Sequence, residues 1–271
     1  MSAVSFTDPA ALDRARFGGK AAELARATQA GLPVPPGYAL SRDLVNLLAL
    51  ASPASTAAER ELLRLLPLLG GPVAVRSSAP DEDGAGSSFA GQHQSFLHVL
   101  GAHDVLLAIR TIAESATEAA GYRARLGLEA GIDMAVVIQS MVAPRCAGVM
   151  FTRDPMTHAD VRVIEAAWGL GEGVVQGMVD PDRVRLARGG EVLSYAVGDK
   201  DVEVLASHEG GTGPCNVDAQ RRGAAVLSPD DLHQLEALAV RCEELTPGPH
   251  DIEWAIAGGA LHLLQCRRIT R

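Results

Sequence analysis

Two glycines precede a lysine near the start of the chain, at Gly18-Gly19-Lys20. The apolar residues that follow recur at helical spacing, which predicts a helix from Gly18 to about Ala30, ended by Gly31. A cation is unfavourable at the positive end of a helix dipole unless an anion such as phosphate binds there. Lys20 is therefore a candidate phosphate ligand, and a solvated surface lysine is the alternative.

A second candidate cation, Arg76, lies in the predicted strand Val73–Ser78, on the face opposite to Val73 and Val75. An arginine at the end of a strand, followed by serines and a glycine-rich loop, can cradle a phosphate. The small residues of the loop could bring backbone N–H groups close to a polyphosphate, and they are Ser87, Ser88, Phe89, Ala90 and Gly91. A surface salt bridge beside a flexible loop is the alternative.

A glycine-rich run, Gly169–Gly173, lies in the middle of the chain and contains Glu172. No Lys-Ser or Lys-Thr pair follows it, so the run is not a Walker phosphate loop. It does not match a dinucleotide-binding fingerprint either. On the residues alone, a tight turn between a strand and a helix is the favoured interpretation.

The chain ends in a predicted hairpin of two strands around Gly258-Gly259. Asp251 and Glu253 share one face of the first strand, and Gln265 and Arg267 share one face of the second. Carboxylate and amide oxygens at this spacing could hold Mg²⁺ against phosphate oxygens. The alternative is an amphipathic hairpin whose polar side faces water.

The length of the hairpin loop decides whether these side chains meet. A two-residue turn, Gly258-Gly259, pairs Glu253 with Leu264 and sends Gln265 to the opposite face. A three-residue loop that includes Ala260 pairs Glu253 with Gln265, and it is a common hairpin solution. We expect the three-residue loop, because it brings the acid and the amide together.

Hydrophobic periodicity divides the rest of the chain into helices and strands. Helices are predicted at 42–69, with an interruption at Ser52-Pro53, at 103–116, and from Ser228 onward. Strands are predicted at 134–142, 148–152, 161–166, 183–187 and 192–197, and a polar loop at 206–227. Helices and strands that do not strictly alternate indicate an α+β fold. We expect two lobes, residues 1–133 and 134–271.

Composition narrows the class of protein. The chain has 271 residues, 47% of them hydrophobic and 21% charged, which is ordinary for a globular protein. A formal net charge of −9 argues against nucleic acid as a main partner. The four cysteines have no C-x-x-C spacing, so neither a zinc site nor a redox pair is indicated. With no signal-peptide pattern and no long apolar run, we expect a cytoplasmic protein without a membrane partner.

Nine stretches of the chain carry a family resemblance, and they are GGKAAELARATQAGLPVPPGYALS, VAVRSSAPDED, SFAGQ, IQSMV, AGVMFTRDP, EAAWGLGEGVVQGMVDPDR, EGGTG, DIEWAI and LLQCRRIT. Together they resemble the N-terminal ATP-binding domain of the pyruvate phosphate dikinase, phosphoenolpyruvate synthase and rifampin phosphotransferase family. The stretches occur in family order and cover essentially the whole chain. The resemblance implies a two-lobed, ATP-grasp-type nucleotide-binding fold.

The resemblance implies catalytic and metal-binding roles for five of the candidate residues. Lys20 and Arg76 are similar to the cations that contact the phosphates of ATP, and Arg267 to the arginine on the reacting phosphates. Glu253 and Gln265 are similar to the ligands of Mg²⁺, which is the implied metal cofactor.

The remaining candidates correspond to the nucleotide-binding positions of the family. The segment Ser87–Gly91 resembles the loop that covers the phosphates. Gln139, Met141 and Val142 resemble the hinge that binds adenine, largely through backbone groups. Glu172 resembles an acid on the ribose side.

Two features depart from the family. Relatives usually end this stretch in Gln-Ala-Arg-Pro, whereas this chain has Gln265-Cys266-Arg267-Arg268. The family's phospho-accepting histidine, in a Thr-x-Gly-Gly-x-x-Ser/Thr-His setting, has no counterpart among the eight histidines here. His208 comes closest, and its glycines follow it, so we expect a loop residue. We therefore expect an ATP-binding domain that stands without its usual partner domains.

Taken together, these features predict an ATP-dependent, dikinase-type phosphotransferase. It would bind ATP and Mg²⁺ and pass a phosphoryl group to a histidine on a separate protein. By family habit the β-phosphate is transferred, and AMP is the product. Two alternatives stay open: direct phosphorylation of a small molecule in a biosynthetic pathway, and a nucleotide-binding regulatory module without turnover. The retained charged residues favour the enzyme.

Overall fold

A computed structural model describes residues 2–50, 55–80, 94–125 and 134–269 of the chain. The chain divides into two compact units. Unit 1 consists of Met1–Gln29, Pro36–Met141 and His208–Gly211, and unit 2 of Ala30–Pro35, Val142–Ser207 and Thr212–Arg271. Each unit combines helices with antiparallel sheet, which confirms the α+β class. The units differ from the division at 133/134 expected from the sequence, because residues 134–141 belong to unit 1.

Unit 1 is built on a five-stranded sheet. Its strands are β1 (Ala3–Ser5), β2 (Gly37–Leu40), β3 (Val73–Ser78), β4 (Ser95–Val99) and β5 (Ala135–Ser140). They lie in the order β1-β2-β5-β3-β4, and all neighbours are antiparallel. Because β5 lies between β2 and β3, residues 134–141 are inseparable from this sheet. The edge strands β1 and β4 were not predicted from the sequence.

Helices of unit 1 pack on this sheet. They are α1 (Arg14–Gln29), α2 (Arg42–Ala49), α3 (Ser55–Leu65) and α4 (Gly101–Arg125), with short 3₁₀ turns at Pro9–Leu12 and Leu66–Leu69. The helical stretch predicted at 42–69 is thus α2, α3 and a 3₁₀ turn. Leu48 of α2, Ile109 of α4 and Val75 of β3 are fully buried in one cluster, each contributing about 1.5–3 kcal/mol of burial free energy.

Unit 2 contains a six-stranded antiparallel sheet and a separate hairpin. Its strands are β6 (Cys146–Phe151), β7 (Val161–Trp168), β8 (Asp182–Ala187), β9 (Val192–Ala196), β10 (Val202–Ala206), β11 (Thr212–Asn216), β12 (His250–Ala257) and β13 (Ala260–Arg268). The large sheet has the order β13-β12-β6-β7-β8-β9, and β10 pairs with β11 alone. The helices are α5 (Glu172–Val175), α6 (Ala219–Arg222) and α7 (Pro229–Leu245).

The stretch 206–227 is more ordered than its composition predicts. It was expected to be a polar loop, and it contains β11 and α6. The residues of β11, Thr-Gly-Pro-Cys-Asn, have weak strand propensity, so pairing with β10 along the whole strand decides its conformation. The prediction was wrong here because tertiary pairing overrides local preference.

The long helix α7 begins where the sequence predicted. The side chain of Ser228 accepts a hydrogen bond from the N–H of Asp231, and the Asp231 carboxylate accepts from the N–H of Ser228, which forms a capping box. The apolar face of α7 packs against β12 and β13. On that face Leu235 and Ala239 are fully buried, as is Ile252 of β12. The helix therefore covers one face of the sheet at the hairpin.

A buried arginine fastens α7 to the strands. Arg162 of β7 is 0% exposed, and its guanidinium bonds to the carboxylates of Glu236 and Glu243 on α7, at 2.9 and 2.8 Å. Arg162 also donates to the carbonyl oxygen of Thr152 at 2.8 Å. Removing one partner of such a buried network costs about 3–5 kcal/mol, because a charge is left uncompensated. This network and the apolar contacts hold α7 in one position on the sheet.

The register of the last hairpin differs from the prediction in its loop and agrees with it in its pairing. Ala257 pairs with Ala260, so the loop is the two-residue turn Gly258-Gly259, and the predicted three-residue loop was wrong. Both glycines have positive φ, 57° and 80°, as a twist-compatible two-residue turn requires. A bulge then follows, and Glu253 pairs with Gln265 as predicted.

The residue that forms this bulge is Leu264. Leu261 and Leu263 are 7% and 0% exposed on the core side, whereas Gln265 pairs on the opposite face with Glu253. All three positions are odd-numbered, and a regular strand would place them on one face. One extra residue between Leu263 and Gln265 lets the strand meet both demands.

The four cysteines are free. Burial raises the pKa of the Cys146 thiol to about 12, which keeps it protonated and unreactive at neutral pH. Within residues 2–50, 55–80, 94–125 and 134–269, no group of three or more His, Cys, Asp and Glu side chains could hold a metal ion. In the same ranges no helix is long and apolar enough to cross a membrane.

The first residue of β12, His250, is buried. It is 2% exposed, and its backbone exchanges hydrogen bonds with Thr152, whose Oγ1 accepts from the His250 N–H at 2.9 Å. Burial lowers the pKa of His250 below its ordinary value. Glu243 and a hydrogen bond to the Gly248 backbone act in the opposite direction, and Arg268 reinforces the lowering. The imidazole is therefore neutral in the folded protein at neutral pH.

Acidification should destabilise the protein through His250. Below pH 6.5, the ordinary pKa of histidine, His250 is protonated in the unfolded chain but stays neutral in the folded chain, where its pKa is lower. The free energy of unfolding therefore falls as the pH drops from 7 to 5. Each such site contributes a slope of up to about 1.4 kcal/mol per pH unit. Burial also lowers the pKa of His262, so His250→Gln should remove part of the slope and not all of it.

Urea unfolding at several pH values measures this slope. The matched control is His233→Gln, on the exposed side of α7, which should leave the slope unchanged. Equal slopes in the wild type and in His250→Gln would contradict the assignment.

Candidate functional site

A glycine inside α1 fixes the helix against the end of β3. Gly18 interrupts the helix with a φ of 82° and a ψ of 170°. Beyond it, the Gly19 N–H donates to the Ala79 carbonyl at 2.8 Å, and the Ala21 N–H donates to Oγ of Ser78 at 3.1 Å. A Cβ on Gly18 would lie 2.2 Å from the Ser78 carbonyl oxygen, so only glycine fits.

This junction places Lys20 against the backbone of the residue that follows Arg76. Lys20 is 8% exposed, and its Nζ donates to the carbonyl oxygen of Ser77 at 3.1 Å. Ser77 is the neighbour of Arg76, which is also 8% exposed and lies on β3 between β4 and β5. Lys20 is therefore buried and not a solvated surface lysine. Lysine and arginine are the residue types that bind phosphate, so both remain candidates for that role.

The predicted adenine-binding residues lie at the end of β5 and directly after the strand. Gln139 is 1% exposed, and Met141 and Val142 are half-buried after the strand. The Met141 N–H donates to the Pro72 carbonyl at 3.0 Å, which fixes the chain where it leaves the sheet. The predicted phosphate-covering segment, Ser87–Gly91, lies outside the described residues.

The predicted metal-binding side chains share one face of unit 2. Glu253 lies opposite Gln265 on one side and Val149 of β6 on the other. Two residues along, Asp251 lies opposite Arg267, and the Arg267 Nη2 donates to the Asp251 Oδ2 at 2.7 Å. This ion pair lies beside the acid and the amide, and it restrains the arginine on the same face of the hairpin.

The pair of Glu253 and Gln265 fits a magnesium ion. Directly paired residues have Cβ atoms about 4.5–5.5 Å apart, so a carboxylate oxygen and an amide oxygen can converge on one ion. Within the described ranges, no hydrogen bond or ion pair occupies these side-chain oxygens. Mg²⁺ takes one or two protein oxygens and completes its octahedron with water and phosphate oxygens. The donor set therefore suits a metal brought in with a polyphosphate.

Glu172 is held in place by two neutral donors. Thr212 Oγ1 donates to its Oε2 at 2.7 Å, and Gln176 Nε2 donates to its Oε1 at 2.8 Å. The residue follows a tight turn in which Gly169, with a φ of 71°, lies so close to β10 that a Cβ would meet the Val204 carbonyl oxygen at 2.5 Å. The glycine-rich run is thus a turn between β7 and α5, as the residues alone indicated.

Sequence reasoning missed the residues that hold the candidates in place. Ser78 and Thr212 anchor α1 and Glu172 across 57 and 40 residues of chain, respectively. No local pattern connects residues so far apart. Ser78 could have been suspected, because it follows Arg76 at the end of a predicted strand.

Comparison with known proteins identifies the family. Residues 45–271 match the family model described as pyruvate phosphate dikinase, AMP/ATP-binding domain. The chain belongs to this family. The ATP-grasp type of fold implied by the resemblance comes with this membership.

Relatives with assigned names support the same conclusion. The chain is 33% identical to a probable phosphoenolpyruvate synthase of Methanothermobacter thermautotrophicus over 93% of its length. It is 35% identical over 96% of its length to the prodigiosin synthesizing transferase PigC of Serratia marcescens, and 40% identical over 73% to a rifampicin phosphotransferase of Streptomyces sp.. These alignments cover 44%, 32% and 23% of the relatives, so the chain spans less than half of each.

Replacing glycines of unit 1 tests the junction that positions Lys20 and Arg76. Gly18→Ala should destabilise the protein by about 3 kcal/mol or more, because strained backbone adds to a clash with a carbonyl oxygen. Gly70→Ala, with a φ of 72° and open space around it, should cost only about 1–2 kcal/mol. Urea unfolding measures both.

Gly213→Ala has neither a positive φ nor a neighbour within 4 Å and serves as the neutral control. Equal destabilisation by Gly18→Ala and Gly70→Ala would show that the close approach to Ser78 is unimportant.

Proposed function

We propose that this chain binds Mg-ATP and transfers a phosphoryl group from it. The observation that carries the proposal is the placement of Glu253 opposite Gln265, beside the Asp251–Arg267 ion pair, in a member of an AMP/ATP-binding family. Phosphoryl transfer depends on positioning and on charge neutralisation more than on covalent participation by the protein. The candidate residues are of the types that such a reaction requires.

The cations act on the phosphates. Lys20 and Arg76 neutralise charge on the triphosphate, and Arg267 stabilises the charge that develops on the transferred group. The salt bridge from Asp251 holds the guanidinium of Arg267 in one orientation. Because Lys20 and Arg76 are buried, their charges act in a medium of lower dielectric than water, which strengthens the interaction.

Magnesium and the remaining groups complete the proposed site. Glu253 and Gln265 hold Mg²⁺, which supplies charge neutralisation at the phosphate oxygens when it is bound. We assign adenine binding to Gln139, Met141 and Val142. Two further assignments rest on the resemblance alone: the ribose side to Glu172, and phosphate covering to Ser87, Ser88, Phe89, Ala90 and Gly91.

The proposed acceptor is a histidine on a separate protein. Attack of its nitrogen on the β-phosphorus forms an N–P bond and breaks the bond from the β-phosphorus to the bridging oxygen, which leaves with AMP. The histidine then carries a pyrophosphoryl group, and attack of water on the terminal phosphorus releases phosphate and leaves the β-phosphoryl group on the histidine. The second candidate is direct phosphorylation of a small molecule, favoured by the 40% identity to a rifampicin phosphotransferase. A regulatory module that binds nucleotide without turnover is the third.

A product assay distinguishes these candidates. The chain is incubated with Mg-ATP alone and with a protein that carries the family's histidine sequence, and AMP, ADP and phosphate are separated. We expect slow turnover alone and AMP formation with the acceptor. ADP formation with a small molecule would favour direct phosphorylation. Fast AMP formation by the chain alone would contradict the separate acceptor.

Calorimetric titration of ATP tests the binding step. Arg76→Ala should weaken binding by about 1.5–3 kcal/mol, the scale for a hydrogen bond to a charged group. Arg60→Ala, on the exposed side of α3, is the matched control and should leave the affinity unchanged. An unaltered affinity in Arg76→Ala would remove Arg76 from the site.

A further inference from the structure

The carboxylate of Glu172 is oriented and only partly occupied. A carboxylate has about four lone-pair positions, and Thr212 and Gln176 use one on each oxygen. Within the described residues, no lysine or arginine forms an ion pair with Glu172. The carboxylate therefore keeps an acceptor position on each of its two oxygens.

Thr212 is the donor that ties this carboxylate to another element. Gln176 lies one helical turn from Glu172 and moves with it, whereas Thr212 begins β11. The β10–β11 hairpin is itself fixed to the glycine turn, because the Leu170 N–H donates to the Val204 carbonyl at 2.9 Å. The Thr212 hydroxyl thus holds Glu172 in an orientation set by the hairpin.

Two acceptor positions on adjacent oxygens match the two neighbouring hydroxyls of a ribose. Acidic side chains bind ribose hydroxyls in this way in other nucleotide sites. Resting on the proposed function, we infer that Thr212 is a positioning residue for Glu172 and that the pair makes the site selective for ribonucleotides. Thr212 acts through Glu172 and does not itself contact the sugar.

The test compares ATP with 2′-deoxy-ATP by calorimetric titration of the whole chain in excess Mg²⁺. The wild type should bind ATP about fivefold more tightly or better, the scale of one hydrogen bond. Thr212→Val should weaken ATP binding about fivefold and leave 2′-deoxy-ATP binding within about twofold, so that the discrimination is lost. Thr212→Ser keeps the hydroxyl and should retain the discrimination between ATP and 2′-deoxy-ATP.

The controls separate a positioning role from a general structural one. Thr111→Val removes a hydroxyl that bonds the Leu107 carbonyl on α4 and should change neither affinity. Equal loss of both affinities in Thr212→Val, or an unchanged ratio, would overturn the inference. Equal binding of ATP and 2′-deoxy-ATP by the wild type would also overturn it and leave the proposed function intact. Failure of the wild type to bind either nucleotide would overturn the proposed function, and the inference with it.

Discussion

The proposed metal site depends on a β-bulge in the last strand, β13, which changes the face on which the following side chains lie. Leu261 and Leu263 face the core, whereas Gln265 faces the opposite side, together with Glu253. On a regular strand these three residues would all lie on one face, because they are two positions apart. The bulge at Leu264 resolves the conflict by changing face once. Without it, the strand would either expose its leucines or bury its amide. A single extra residue therefore allows one hairpin to serve the core and the site together.

The cations of unit 1 depend on a different constraint, the close approach of two backbones. Gly18 breaks α1 so that the helix can pack closely against the end of β3, and this contact places Lys20 beside the residue that follows Arg76. Helix propensity alone would favour a continuous α1. The break is therefore a consequence of packing against β3, and it places the buried Lys20 against the Ser77 carbonyl, where we propose that a phosphate binds.

Local patterns predicted most of the fold and could not predict what holds it together. The strands of the large sheet and the capped start of α7 at Ser228 follow from alternation and capping chemistry. The β10–β11 hairpin was missed because β11 gains its conformation from its partner. The hairpin loop was predicted wrongly because loop preference was weighed without the parity of Leu261 and Leu263. The spacing of Leu261, Leu263 and Gln265 was visible in the sequence. Because two core leucines and a polar site residue cannot share one face of a regular strand, this spacing indicates a bulge.

Candidate site residues could be proposed from the sequence, but their neighbours could not. Arg76 and Glu253 were found by residue type and spacing, whereas the partners Ser77 and Thr212 lie tens of residues from the groups they hold. Such contacts arise only when distant strands and helices pack. Burial is likewise a property of the fold, and it turns Lys20 from an ordinary surface cation into a buried one.

We propose that Glu253 and Gln265 jointly hold Mg²⁺ with ATP. A double-mutant cycle of Glu253→Ala and Gln265→Ala measures this directly, with ATP affinity determined in excess Mg²⁺ and in EDTA. Joint binding of the metal predicts a coupling free energy of about 1 kcal/mol or more with Mg²⁺ and none in EDTA. The control cycle of Glu253→Ala with Gln220→Ala, an exposed residue of α6, should be additive. Additivity of Glu253→Ala and Gln265→Ala in Mg²⁺, or equal coupling in its absence, would contradict the claim.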